Sequence, residues 1–342
     1  MTSTAASCLL FLRMKTFEEA ELCFPQLLNS SCRKATRPHS VSMLTYILLS
    51  SISLLTVTLN LLVIISISHF RQLHTSTNLL LLSLAVSDFL VGFLMLFQIM
   101  LIDGCWLFGD LMCILYYVLD YIITSASVGT MVLISVDRYV AICEPLQYPN
   151  RVTQKRVQVC VCLCWICSAF IHALLLMNNL EQPGRYNSCF GECVIVINYI
   201  AGVADIFLSF LGPVTVIIVL YMRVFVVAVS QARAMRSHVA AFSLKSSVTV
   251  TAKKSEMKAA RALGVVIVVF LLCLSPYFCL LLTGQDTLLN ASSAAFVICL
   301  FYFNSCLNPV IYAFFYPWFR KSIKLIVTLK ILQPGSCQTN ML

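Results

Sequence analysis

The sequence predicts an all-α membrane protein: seven helices that cross a bilayer as one bundle, followed by a short amphipathic eighth helix. Of its 342 residues, 60% are hydrophobic and only 11% are charged, whereas soluble globular domains carry about 25% charged residues. Seven apolar stretches, spread along the whole chain, reach the roughly 20 residues that a transmembrane helix needs. They cover residues 42–68, 76–101, 110–140, 155–178, 195–229, 258–284 and 292–315.

The basic residues lie in alternate loops, and this sets the predicted orientation. Lys and Arg follow the third stretch and fill the segment between the fifth and the sixth, while the other loops are mainly acidic. Because Lys and Arg mark cytoplasmic loops, we expect the N-terminus outside the cell and the C-terminus inside. The net charge of +9 then reflects membrane topology and predicts no nucleic-acid partner. The chain divides into an extracellular segment 1–41, a seven-helix membrane domain 42–315, and a cytoplasmic eighth helix and tail 316–342.

Two short patterns agree with this orientation. Asn29 begins the sequence Asn-Ser-Ser, a glycosylation sequon on the predicted outer side. Residues 318–326 alternate aromatic, basic and aliphatic side chains, which is typical of an amphipathic helix in contact with lipid at the inner membrane surface.

Four acidic residues lie within or at the ends of the apolar stretches: Asp88, Asp120, Asp137 and Asp205. A charge at the bilayer centre costs a few kcal/mol or more, so each such residue is a functional hypothesis. The alternative is that an isolated acid reaches the interface or is satisfied within its own helix. Asp120 precedes Arg138 by 18 residues, about five turns of helix, which places both residues on one face.

Motifs in every stretch resemble the rhodopsin-like G-protein-coupled receptors. They are Asn60, the sequence LSLAVSD ending at Asp88, Asp137-Arg138-Tyr139, Trp165, Pro213 with Tyr221, Pro276, and Asn308-Pro309-Val310-Ile311-Tyr312. The stretch NSCLNPVIYAFFYPWF, from Asn304 to Phe319, is similar to the signature of the trace amine-associated receptors, as are CFPQLLNSSC near the N-terminus and SCFGEC in the second outer loop.

The resemblance implies a plasma-membrane receptor for amines in olfactory neurons, coupled to a stimulatory G protein and cAMP. It also implies that Arg138 is the inner switch residue, held by Asp137 and by Glu256 at the base of the sixth helix. One departure is Leu274, where the family usually has Trp, so activation is expected to run through Phe270 and its neighbours instead. The remaining switch residues implied are Tyr139, Tyr221, Asn308, Pro309 and Tyr312.

The resemblance also implies a sodium site and two disulfides. Asp88, Ser127, Asn304, Ser305 and Asn308 match a polar cluster that holds a sodium ion in such receptors, although structural water fits the same residues. No other metal and no organic cofactor is expected. The implied disulfides are Cys113–Cys193 and Cys32–Cys189; the swapped assignment, and Cys23 as the N-terminal partner, remain open.

The implied ligand site centres on Asp120, which forms the salt bridge to the ligand ammonium in amine receptors. Tyr302 lies where the family has a tyrosine that hydrogen-bonds this carboxylate. Tyr277 and Phe278 offer aromatic faces for cation–π contact. The other predicted ligand residues are Tyr121, Thr124, Ser209 and Cys299.

Asp205 lies eight residues before Pro213, where the resemblance implies a position that faces Asp120 across the pocket. An ionised carboxylate accepts hydrogen bonds but cannot donate them, so it favours a second cation. The sequence therefore predicts a receptor for aliphatic diamines such as cadaverine or putrescine. The alternative is a monoamine receptor that uses only one of the two acids. Asp205 would then either bind one amine in an inverted orientation or be protonated and silent.

Other classes of protein fit the sequence less well. An amine transporter would show internal repeats and broken helices, and no repeated half is found in the chain. The five histidines do not form a metal motif, and the chain has no nucleophile elbow, so no enzymatic activity is predicted.

Overall fold

The computed structural model describes residues 21–27, 29–34, 39–241, 264–280 and 291–341. The helix that we call α5 has three continuous pieces: Tyr199–Ile206, a π-helical turn at Phe207–Leu211, and Gly212–Ala241. The other principal helices are α1 (His39–His69), α2 (Ser76–Asp103), α3 (Gly109–Cys143), α4 (Gln154–Leu175), α6 (Gly264–Leu280), α7 (Ala291–Phe315) and α8 (Pro317–Val327).

A helix lies on each of the seven predicted stretches, and the predicted all-α bundle with a short eighth helix is confirmed. Within the described ranges, six helices have the length and apolar composition needed to cross a membrane, and the apolar helix α6 is shorter. The predicted sixth stretch, 258–284, extends beyond the described residues at both ends. Large apolar side chains such as Leu54, Phe170 and Phe225 are exposed on the outside of the bundle, where lipid would cover them.

Two predicted stretches extend beyond the ends of their helices, and at one of them local polar contacts override the apolar pattern. The predicted start of the fifth helix at 195 is four residues too early. Residues 192–198 form no regular secondary structure. The backbone of Val196 is bonded to Asn179 instead: Asn179 Nδ2 donates to the Val196 carbonyl (2.9 Å), and the Val196 N–H donates to Asn179 Oδ1 (3.1 Å). The fourth helix ends at Leu175 rather than 178, and a separate short helix, Met177–Glu181, follows.

Side-chain and glycine caps set several helix ends. Thr75 precedes α2 and accepts a hydrogen bond from the Asn78 backbone N–H (3.2 Å), a standard N-cap. Gly104 ends the same helix with φ = 73°, a left-handed conformation that favours glycine. Arg320 of α8 donates to the carbonyls of Ala313 and Phe314, so it satisfies the open carbonyls at the end of α7.

The apolar core has two large parts, one toward each end of the bundle. We call the first end the Arg138 end; its cluster contains Phe270, Tyr312, Trp318 and Phe319, which join α6, α7 and α8. The opposite end, which we call the disulfide end, contains Trp106, Cys113, Tyr116, Cys193 and Tyr302. Buried polar side chains of α1, α2, α3 and α7 lie between the two clusters.

Three disulfides join the segments at the disulfide end. The structure contains the two implied bonds, Cys113–Cys193 and Cys32–Cys189. Cys23 is not an alternative partner for the loop cysteines, because it bonds to Cys105 just beyond α2. Backbone hydrogen bonds reinforce this arrangement: Cys32 N–H donates to the Phe190 carbonyl (3.0 Å) and Trp106 N–H to the Gly191 carbonyl (2.7 Å). The N-terminal segment 21–34 is thereby held against the loop that follows α4.

Candidate functional site

A cavity of about 580 Å³ lies between the helices toward the disulfide end. Residues of α2, α3, α4, α5, α6 and α7 line it. All the predicted ligand residues contribute to its wall except Cys299, which packs beside the apolar cluster of the disulfide end. The predicted residues that line it are Asp120, Tyr121, Thr124, Asp205, Ser209, Tyr277, Phe278 and Tyr302.

Among the described residues, Asp120 presents a carboxylate oxygen without a protein partner. Its Oδ1 is buried and accepts no hydrogen bond from the described residues. The predicted bond from Tyr302 is absent there, because Tyr302 and Tyr116 both donate to Oε1 of Gln98, at 3.3 and 2.6 Å. The Gln98 amide, which the sequence did not single out, takes the place of the carboxylate as acceptor. A buried carboxylate without a partner is unfavourable, and a cationic ligand would relieve this.

The aromatic wall is partly self-paired. Phe278 stacks on Phe210 with ring centroids 4.0 Å apart and an interplanar angle of 9°, so one of its faces is covered. Tyr277 lies 4.8 Å from Phe301 between centroids and lines the cavity with it. Cation–π contact requires an open ring face, and the covered face of Phe278 is not available for it.

Asp205, on α5, has two protein partners that the sequence did not predict. Ser209 donates its hydroxyl to Oδ1 (2.8 Å), and Nε2 of His172 lies 3.1 Å from the same oxygen. His172 belongs to α4, is 1% exposed, and places Nδ1 2.7 Å from the carbonyl oxygen of Ser168. Asp205 thus has a titratable neighbour on α4 as well as a hydroxyl donor on its own helix.

The π-helical turn directs Asp205 into the cavity. Pro213 has no amide hydrogen, so it cannot donate to the carbonyl four residues earlier. In the same region the Gly212 N–H donates to the carbonyl of Phe207, five residues back. A π turn holds one extra residue, a feature that is frequent at functional sites. Asp205, just before this turn, and Ser209, within it, face the cavity together.

A second polar cluster lies deeper in the bundle, among the residues of the predicted sodium site. Asn308 Nδ2 donates to Oδ2 of Asp88 (2.8 Å). Three oxygen atoms here are buried and have no hydrogen-bond partner among the described residues: the Oδ1 atoms of Asp88, Asn304 and Asn308. Ser127, Asn304 and Ser305 line a small cavity whose other walls include Phe270 and Leu274. Unpaired oxygen atoms around one carboxylate are ligands of the kind that a hard cation prefers.

At the Arg138 end, the arginine is held by its neighbours. Arg138 is paired with Asp137 and also donates to Oγ1 of Thr77 (2.6 Å). Tyr148, in the loop after α3, donates its hydroxyl to Oδ1 of Asp137 (2.9 Å). Burial, and secondarily Asp137, raise the pKa of Tyr148 above its usual value, so this phenol stays a donor. Glu256, the other predicted partner of Arg138, lies outside the described residues.

The remaining predicted switch residues are close to this end. Tyr139 packs beside Val224 of α5, and Asn308 is bonded to Asp88 as described above. Tyr221 and Tyr312 have buried hydroxyls without a hydrogen-bond partner in the described part of the chain. Pro309 lies inside α7. Asn29, the sequon residue, is exposed in the N-terminal segment at the opposite end.

Comparison with known proteins agrees with this architecture. Residues 59–312 match the family described as the 7 transmembrane receptor (rhodopsin family). The chain is 38% identical to trace amine-associated receptor 13c of Danio rerio, with 96% of this chain and 98% of that protein covered. It is 35% identical to trace amine-associated receptor 4 of Mus musculus (94% and 96% covered) and 37% identical to receptor 8a of Rattus norvegicus (92% and 95%).

Proposed function

Because the chain belongs to the trace amine-associated receptors of the rhodopsin family, and is thus a G-protein-coupled receptor for amines and not an enzyme, we propose that its ligand is an aliphatic diamine. The observation that carries this proposal is that Asp120 and Asp205 line the same cavity, one from α3 and the other from α5. Cadaverine and putrescine have the required chemistry, an ammonium at each end of an apolar chain.

Asp120 binds the first ammonium. Its buried Oδ1 has no hydrogen-bond partner in the described ranges, and hydrogen bonds to ionised groups are stronger than those between neutral groups. Tyr116 and Tyr302 bond to Gln98, so the ligand does not compete with these two hydroxyls for the carboxylate.

Asp205 binds the second ammonium. Its side chain is 12% exposed, and the contacts from His172 and Ser209 both end on Oδ1. Oδ2 is therefore the oxygen that a ligand would reach first. The apolar stretch of a diamine would lie between the two acids, along side chains such as Ile206, Phe278 and Phe301.

A second candidate is a monoamine receptor that uses Asp120 alone. The pairing of Asp205 with His172 (3.1 Å) favours it, because a histidine in its charged form already supplies a cation for that carboxylate. The two candidates differ in what the removal of Asp205 does, and one substitution separates them.

We expect Asp205→Asn to weaken the response to diamines about 10- to 100-fold, since a hydrogen bond to a charged group contributes about 1.5–3 kcal/mol. The measurement is a dose–response series for diamines of graded length and for monoamines of matched length. Competition binding provides a readout that does not depend on G-protein type. The matched monoamines are the control and should change little. An unchanged diamine response in Asp205→Asn would overturn the diamine proposal in favour of the monoamine receptor.

We propose that the G-protein partner is of the stimulatory type, with cAMP as the signal, and that the receptor acts in the plasma membrane of olfactory neurons. The disulfide end would face the outside, where disulfides persist and where Asn29 could be glycosylated. The Arg138 end would face the cytoplasm, next to the basic loops. The contacts of Arg138 with Asp137 and Thr77 would restrain the receptor until α6 moves and a G protein binds.

We also propose that Asp88 and its neighbours hold a sodium ion when no agonist is bound. Sodium should then lower agonist affinity several-fold, within the 5- to 150-fold range usual for coupled sites. Agonist competition in NaCl, compared with an equal concentration of KCl, measures this effect. Asp88→Asn should remove the difference between the two salts. Equal sodium sensitivity in wild type and Asp88→Asn would contradict the proposal and leave water as the occupant.

A further inference from the structure

We propose that His172 is the resident counter-ion of Asp205, and that the second ammonium of a diamine replaces it with the release of one proton. This inference rests on the proposed function, because it concerns how the second amine is accommodated at Asp205. It makes His172 a specificity-determining residue of the ligand site, although its ring lies on α4, behind the carboxylate that the ligand contacts.

The hydrogen-bond geometry fixes the number of protons that the pair holds. Nδ1 of His172 lies 2.7 Å from the Ser168 carbonyl oxygen, and a carbonyl only accepts, so Nδ1 carries a hydrogen. Nε2 lies 3.1 Å from Oδ1 of Asp205, and this contact needs a second proton between nitrogen and oxygen. The pair is therefore an imidazolium with a carboxylate, or a neutral ring with a carboxylic acid. Its net charge is zero in both forms.

The charge of the whole cavity follows from this count. Among the described residues that line it, the acids are Asp120 and Asp205 and the base is His172. The other titratable groups facing the pair are tyrosines: Tyr121 of α3, whose ring centroid is 5.6 Å from that of His172, and Tyr277 of α6. With the pair neutral, the cavity has one negative charge, on Asp120. A monoamine balances that charge, whereas a diamine leaves an excess positive charge.

Loss of one proton restores the balance for a diamine. The imidazolium–carboxylate pair and the incoming alkylammonium become a neutral imidazole, an ammonium–carboxylate pair and a proton in solvent. The N–H bond at Nε2 is the covalent bond that breaks. Nδ1 keeps its bond to the Ser168 carbonyl, and Nε2 becomes an acceptor that faces the new ammonium. Since an uncompensated buried charge is strongly unfavourable, proton release accompanies binding of the second amine.

Diamine affinity should therefore rise more steeply with pH than monoamine affinity, because ionisation of Asp120 affects both ligands equally. Histidine changes charge between about pH 5 and 8, whereas alkylammonium groups stay charged to about pH 10. Because one proton leaves on binding, diamine affinity should rise about tenfold per pH unit while the charged form of the pair dominates, and then level off. Competition binding on membranes containing the full-length receptor, from about pH 5.5 to 8, compares cadaverine with pentylamine. Parallel profiles for the two ligands would overturn the proposal.

The variant that isolates His172 is His172→Gln, which keeps an amide donor for Asp205 but carries no titratable proton. Its diamine profile should be parallel to its monoamine profile, with diamine affinity at about pH 5.5 raised at least tenfold. Immunolabelling of receptor at the cell surface reports whether the variant folds, and the wild-type comparison decides the question if it does not. A diamine slope that stays steeper than the monoamine slope in His172→Gln would contradict the proposal. Failure of the diamine proposal is a different result: Asp205→Asn would then leave cadaverine affinity unchanged at every pH.

Discussion

Asp120→Asn should abolish the response to every amine, monoamine and diamine alike. Asp120 is the acid in the cavity whose Oδ1 has no hydrogen-bond partner in the described part of the chain, so the ligand ammonium is its expected counter-ion. Removal of one partner of a buried charge pair costs about 3–5 kcal/mol, which corresponds to a loss of affinity of at least about 100-fold. Dose–response curves and competition binding measure the loss, each normalised to the amount of receptor at the cell surface.

The matched control is Asp110→Asn, on the same helix. Asp110 is exposed and accepts a hydrogen bond from Asn187 (2.9 Å), so its neutral variant should bind amines as the wild type does. Together, the two variants separate the general loss of negative charge near the disulfide end from loss of the ligand contact. An Asp120→Asn receptor that responds normally to monoamines would place the first ammonium elsewhere in the cavity.

The second large effect is expected at the disulfide between Cys113 and Cys193. Cys113 lies near the start of α3, Cys193 lies in the irregular segment that leads to α5, and both are buried. Ile197, in that segment, lines the ligand cavity. The double substitution Cys113→Ser/Cys193→Ser should lower stability by about 2–5 kcal/mol and remove most receptor from the cell surface. Surface immunolabelling and thermal inactivation of ligand binding measure the two effects.

Cys23→Ser/Cys105→Ser is the comparison for this experiment. It removes the bond that joins the N-terminal segment to Cys105, just beyond α2. This bond does not involve the segment that leads to α5 and Asp205. We expect a smaller loss of surface receptor and nearly unchanged amine affinity. Equal stability of the two double variants would show that the bond to α3 has no special role.

The fold could be predicted because the apolar length of a membrane helix is a property of contiguous sequence. The bilayer thickness sets a minimum length, and every predicted stretch meets it. The boundaries failed where a distant side chain bonded to the backbone, as Asn179 does at Val196. Such a contact depends on how two segments fold against each other, and no local pattern in the sequence encodes it.

The site could be predicted in its residues but not in its hydrogen bonds. Most predicted ligand residues line one cavity, yet Tyr302 bonds to Gln98 and not to Asp120. The choice between two nearby acceptors is decided by side-chain rotamers on different helices. The sequence did not predict His172 at the site. An ionisable residue inside a membrane helix is a functional hypothesis whether it is acidic or basic, and the position of His172 within α4 is the signal that points to it.

Because of the π-helical turn at Phe207–Leu211, ligand selectivity depends on the number of residues in α5 as well as on their type. Asp205 precedes the turn and Pro213 follows it, so the extra residue sets the direction in which the carboxylate points. Deleting one residue there would regularise the helix and rotate everything before it by about 100°, one residue's share of a 3.6-residue turn. The receptor would still contain both acids, but they would no longer face the same ligand. Deletion of a single codon there would thus change ligand selectivity without replacing Asp120 or Asp205.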